Sequence, residues 1–233
     1  MFFFDPLYFV MLIPAIALSI WAQVKVKSTF EKYSKVAPSS RAVGAEAAEK
    51  ILRQNGLSDV RVEIGQGTLT DFYDPRKRIL RLSPEVYQGR SLAALGVAAH
   101  EAGHALQHAR GYAPLKLRSG LVPAANFGTR MAFPLIFLGF LFARSGAAIS
   151  PLLINIGILA FSVAVLFQVV TLPVEFNASR RAMLVLEESG LITAAEREPT
   201  RAVLSAAALT YVAAALAAVL QLLYLIMRSQ RRD

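Results

Sequence analysis

Two long stretches of the chain carry no charged residue: Ala147 to Val174 and Ala202 to Met227. Each exceeds the ~20 apolar residues needed to span the hydrocarbon of a bilayer. Backbone N–H and C=O groups find no water there, so each stretch must satisfy them internally, as a helix does. Composition agrees. Hydrophobic residues make up 55% of the chain, above the ~45–50% of a soluble domain, and the excess is concentrated in a few segments. The expected fold class is therefore a mainly α integral membrane protein.

Two further apolar segments bring the expected number of transmembrane helices to about four. Phe2 to Ala22 is interrupted only by Asp5. It lacks the basic leader of a secretory signal peptide, so an uncleaved anchor is the better reading. Leu121 to Ala143 is weaker. Its unbroken run, Met131 to Ala143, is short enough to be re-entrant, and Arg130 has to lie near an interface or face protein. The expected organisation is helices over 1–22, 121–143, 147–174 and 202–227, a polar domain over 23–120 and a second polar segment over 175–201.

Residues 23–120 read as a small α+β domain. Ala45 to Asn55 has helical periodicity and ends at Gly56, a residue suited to a helix C-terminus. Val60 to Ile64 alternates as a half-buried strand does. Thr68 to Tyr73 and Arg78 to Leu82 are expected to be extended, with Asp74-Pro75-Arg76-Lys77 as the turn between them. Ser83-Pro84-Glu85 opens a short helix. Ser91 to Arg110 is a longer helix that Gly111 ends.

That longer helix carries His100-Glu101-Ala102-Gly103-His104-Ala105-Leu106-Gln107-His108, with all three histidines of the chain. On a helix, His100 and His104 lie roughly 40° apart, one turn from each other, and Glu101 sits about 100° round from His100. This is the HExxH arrangement: two imidazoles converge on zinc and the glutamate acts as general base. His108 lies about 12 Å further along than His100, too far for one ion with ~2.0–2.1 Å bonds to bridge them. It is not expected to be a ligand. Ala102 and Gly103 leave room beside the site for another backbone or a substrate.

A catalytic zinc has three protein ligands and an open position. The chain has no cysteine and no other histidine, so the third ligand must be a carboxylate. Glu175 ends an uncharged apolar stretch, where an ionisable group asks for a functional reason. Taken alone it reads equally well as an interfacial charge; the missing ligand favours it. The expected set is His100, His104 and Glu175 for Zn2+, with Glu101 catalytic.

HExxH alone is a short pattern that recurs by chance, but LTDFYDP, RLSPEVY, SLAALGVAAHEAGHALQH and LPVEFNASRRA together resemble the YugP-like membrane zinc metallopeptidases, over most of the chain. The wider architecture is similar to the HtpX-type membrane proteases. Their E-x-x-A-D pattern supplies the third ligand, and Glu175, Ala178 and Arg180 match it and its following basic residue. Ser179 stands where those proteases have Asp, which leaves an uncharged partner to orient a zinc-binding imidazole. The resemblance implies a zincin-like catalytic domain of gluzincin type. It also implies that the segment Thr68 to Tyr73 is an edge that pairs with extended substrate; for Asp71, Tyr73 and Asp74, ordinary turn chemistry is an equal reading.

The expected function is hydrolysis of peptide bonds in a polypeptide substrate, a membrane or membrane-proximal protein. Arg181, Tyr73 and Tyr112 are candidate oxyanion donors. The alternative is a membrane scaffold or regulator with a structural or vestigial metal site. A structural zinc would want a fourth protein ligand, and none is evident. The net charge of +9 alone does not argue for nucleic acid, because no RNA-binding fingerprint accompanies it. Lys25, Lys27, Lys32 and Lys35 follow the first helix, and Arg180, Arg181, Arg197 and Arg201 lie in the expected loop carrying Glu175. The positive-inside rule then places the active site on the cytoplasmic side of a prokaryotic plasma membrane. Arg228, Arg231 and Arg232 argue the other way.

Overall fold

A computed structural model describes residues 6–68 and 70–230. The start of the expected anchor, up to Asp5, and Leu69 in the second extended segment lie outside the described residues. The chain divides into two compact units.

One unit comprises residues 22–116 and 173–210. Its core is built on two helices, α2 (Gly44–Gln54) and α4 (Leu92–Ala109). In α2, Ala47, Ala48, Ile51 and Leu52 form one buried face, spaced as an amphipathic helix requires. Ser91 caps α4, its hydroxyl accepting from the Ala94 N–H at 3.1 Å. At the other end Gly111 takes φ +63°, and the N–H groups of Gly111 and Tyr112 reach the carbonyls of His108 and Gln107. That is the glycine stop expected from the sequence.

Three short strands complete this core: β1 (Arg61–Ile64), β2 (Phe72–Asp74) and β3 (Ile79–Leu82). Their order is β1-β3-β2. β3 runs parallel to β1, with Val62 opposite Leu80, and antiparallel to β2, with Tyr73 opposite Leu80. Central β3 buries Ile79, Leu80 and Leu82, and β2 is an edge. The second extended segment is shorter than expected. Gly67 adopts φ +88° and the Thr70 hydroxyl donates to the Gln66 carbonyl at 2.7 Å, so the chain bends at Gln66, Gly67 and Thr68 and is not strand there. The short helix α3 (Pro84–Tyr87) follows β3. The Asp71 carboxylate accepts from the Ser83 N–H at 2.7 Å, tying the loop before β2 to the start of α3.

The other unit comprises, within the described residues, 6–21, 117–172 and 211–230. Its segments belong to α1 (Pro6–Tyr33), α5 (Ala113–Ala143), α6 (Ser150–Glu188) and α7 (Arg197–Gln230). Among the described residues, four helical stretches are long and apolar enough to cross a membrane, Leu121 to Ala143 lying within one of them. Glycines let α5 and α6 pack closely: a Cβ on Gly128 would meet the Ala160 carbonyl oxygen at 2.3 Å, and one on Gly157 the Ala132 carbonyl oxygen at 2.9 Å. Small residues serve helix contacts in lipid this way. Val10, Ile13, Phe127, Phe137 and Leu159 are each more than half exposed. Apolar exposure this extensive suits lipid and would drive association in water.

The helices outrun their apolar stretches. α1 continues past Ala22 through a polar turn in which Lys27 and Glu31 pair at 4.0 Å, and Phe30 packs on the core. α6 does not stop where the apolar run ends at Val174. It continues to Glu188, with Ala178, Ala182 and Leu186 fully buried. Glu175 therefore sits inside a helix, not in a loop.

Candidate metal centre

His100 and His104 project from one face of α4, their ring centroids 4.8 Å apart and nearly perpendicular. Glu175 reaches them from α6. Its Oε2 lies 3.2 Å from His100 Nε2 and 3.5 Å from His104 Nε2, and the three ligand atoms fall within 4.8 Å of one another. A tetrahedral ion with ~2.0–2.1 Å bonds holds its ligand atoms roughly 3.3–3.4 Å apart. The two Glu175–histidine separations match that spacing, the cluster as a whole lies within 4.8 Å, and the donor types are those of a zinc site.

The approach of the two helices depends on Gly103. A Cβ there would fall 2.7 Å from the carbonyl oxygen of Ala178, so the small residue in HEAGH makes room for the α6 backbone. Along α6, Glu175, Ala178, Ser179 and Ala182 recur at i, i+3, i+4 and i+7, which keeps them on one side of the helix.

Each imidazole has a further partner on its Nδ1. The Ser179 hydroxyl lies 3.2 Å from His100 Nδ1, where the sequence places an uncharged partner for a histidine. The Gln107 Oε1 lies 3.0 Å from His104 Nδ1. The Gln107 Nε2 donates to the Val174 carbonyl at 2.8 Å and to Asn177 Oδ1 at 3.0 Å, and Arg181 Nε donates to the same Asn177 oxygen at 2.7 Å. Gln107 and Asn177 are not among the site residues expected from the sequence.

Glu101 follows His100 directly and is buried. Burial pushes its carboxyl above the usual carboxylate range, against the pull of His104 and His100. Burial works against charge on His104, but Glu175 and Glu101 outweigh it and raise that imidazole above its ordinary value.

The remaining candidates fall elsewhere. His108 Nδ1 pairs with the Tyr73 hydroxyl at 3.0 Å and is not in the ligand cluster. The Tyr112 hydroxyl donates to the Pro173 carbonyl at 3.4 Å. Arg181 lies over the Tyr112 ring, 5.9 Å from its centroid. Asp74 accepts from the N–H groups of Arg76 and Lys77, which is turn chemistry.

A protein family described as "Putative neutral zinc metallopeptidase" matches residues 8–230. The chain belongs to this family. It is also 53% identical, over 222 residues, to a relative named "Putative membrane protease YugP" from Bacillus subtilis (strain 168), the alignment covering 95% of this chain and 96% of the relative. No solved structure matches it. The family membership agrees with the YugP-like resemblance carried by the sequence motifs, and the relative's name agrees with four helices fit to cross a bilayer: this member of the zinc metallopeptidase family is a membrane protein.

Proposed function

We propose that this family member is a membrane-embedded, zinc-dependent endopeptidase in which His100, His104 and Glu175 hold the metal and Glu101 is the general base. The observation that carries the reading is the convergence of two imidazoles and one carboxylate from two helices, with Glu101 beside them. Bound zinc supplies Lewis acidity and makes a water nucleophilic near neutral pH. Glu101 takes the proton of that water and delivers it to the leaving amine. Burial raises the pKa of its carboxyl and so makes the carboxylate a stronger base for the first of these transfers.

β2 is an edge of the described sheet, which supports binding of an extended polypeptide by strand addition. Of the three expected oxyanion donors, the hydroxyls of Tyr73 and Tyr112 are directed at His108 and Pro173. Arg181 is held by Asn177 through Nε at 2.7 Å, and we propose it as the oxyanion donor. The substrate is a membrane or membrane-proximal polypeptide, cleaved on the cytoplasmic side of a prokaryotic plasma membrane.

Glu101→Gln tests the reading. Purified variant should retain zinc at native stoichiometry and lose peptide hydrolysis by about 10²–10⁴-fold, the usual worth of a positioned base. Casein cleavage at the native rate by zinc-loaded Glu101→Gln would rule Glu101 out.

A further inference from the structure

The donor and acceptor identities around Gln107 can be worked out from one fixed point. Arg181 can only donate, so the Asn177 atom it meets at 2.7 Å is the oxygen. Gln107 faces that same oxygen and also the Val174 carbonyl, at 3.0 Å and 2.8 Å. Both are acceptors, so the Gln107 atom between them is the amide nitrogen. Its Oε1 then faces His104 Nδ1 at 3.0 Å and has to accept. The proton of a neutral His104 is thereby held on Nδ1, and Nε2, the atom beside Glu175, keeps its lone pair for a metal. Gln107 is fully buried, so no water competes for these bonds.

We propose that Gln107 is a positioning residue of the metal centre. It fixes the metal-binding tautomer of His104, and it fastens α4 to the turn of α6 that carries Glu175. The second role follows from the acceptor it uses: Val174 immediately precedes Glu175. One amide thus aligns two ligands from different helices. His100 relies on Ser179 instead, and Ser179 is a hydroxyl that can both donate and accept. The tautomer control is therefore stronger at His104. This inference rests on the metallopeptidase reading.

The experiment compares Gln107→Met with Gln107→Glu in the full chain in detergent micelles. Zinc affinity is read by competition with a chromophoric chelator, and melting of the zinc-free protein is read separately. Methionine keeps the volume and removes both functions. Glutamate keeps an acceptor for His104 but loses the donor to Val174. Both variants should melt lower than native protein. Gln107→Met should lose zinc affinity by about 10–100-fold, as expected when the outer partner of a ligating imidazole is removed, and Gln107→Glu, which keeps that partner and loses only the tie to Val174, should lose less. Native affinity in Gln107→Met would show that Gln107 only fills space, and equal losses in the two variants would show that its oxygen does not act on His104; either result would overturn the proposal.

A measurement on native protein covers the case in which neither variant folds. The chain has three histidines, so zinc-loaded protein labelled with 15N-histidine should show a His104 Nδ1 proton protected from exchange. An unprotected proton there overturns the inference alone. A native protein that takes up no zinc overturns the metallopeptidase reading, and this inference with it.

Discussion

A Cβ placed on Gly103 would lie 2.7 Å from the carbonyl oxygen of Ala178. The contact is with backbone, which cannot swing aside, so Gly103→Ala has to push α4 and α6 apart. Overpacking of this kind costs about 1–3 kcal/mol. The same displacement draws Glu175 away from His100 and His104. The expected outcome is a lower melting temperature together with weaker zinc binding, measured by thermal scans and zinc content. Ala102→Gly provides the contrast: it removes a buried methyl on the same helix without forcing the helices apart, and should retain zinc.

The ligand set makes its own prediction. His100→Ala, His104→Ala and Glu175→Ala should each lose most of the bound zinc, because each removes one of the three proposed ligands. His108→Ala should keep it, since His108 bonds Tyr73 and not the cluster. Metal analysis of the four purified variants decides. Stoichiometric zinc in Glu175→Ala would remove the third ligand from the assignment.

How much of this is legible in the sequence differs from residue to residue. The HEAGH face is readable because a four-residue spacing of histidines on a helix has one geometric meaning. Glu175 is readable by elimination, since the chain offers no cysteine and no further histidine. That α6 runs on through Glu175 is hidden, because hydropathy falls at Val174 while the helix is held by packing of Ala178 and Ala182. Gln107 escapes notice although His100, His104 and Gln107 follow an i, i+4, i+7 stripe; a neutral polar side chain carries no charge to mark its function. Sequence pattern alone draws the second strand too long, because Gly67 and Thr70 form a local turn that β-propensity does not report.

Zinc binding should weaken on acidification, and the sign follows from His104. Glu175 and Glu101 raise its imidazole above the ordinary 6.5 in the metal-free protein, despite the opposing effect of burial. Zinc needs the neutral imidazole, so below that raised value each binding event must displace a proton. Affinity is therefore fullest above the raised value and falls as pH drops through it, starting above 6.5. Chelator competition across the neutral to mildly acidic range reads this directly. A flat profile there would mean that His104 binds no proton the metal has to displace.

The membrane topology follows from the site. Glu175 and His100 share one cluster, so the residues after the first helix and the end of the third apolar stretch lie on one face of the bilayer. If Ala147 to Val174 crosses, it starts on the opposite face, and the chain must cross once between His108 and Ala147. The helix Ala113–Ala143 is long and apolar enough to do so despite Pro123 and Pro134. Four crossings place both ends of the chain on the face away from the active site. We propose that Lys25, Lys27, Lys32 and Lys35 after the first helix place the site in the cytoplasm. Single cysteines can test this, because the chain has none of its own. Ser39→Cys and Ser229→Cys should react with opposite sidedness to a membrane-impermeant thiol reagent, with Ser229→Cys labelled from outside intact cells. Labelling of Ser39→Cys from outside would invert the orientation, and labelling of both from one side would defeat the four-crossing arrangement itself.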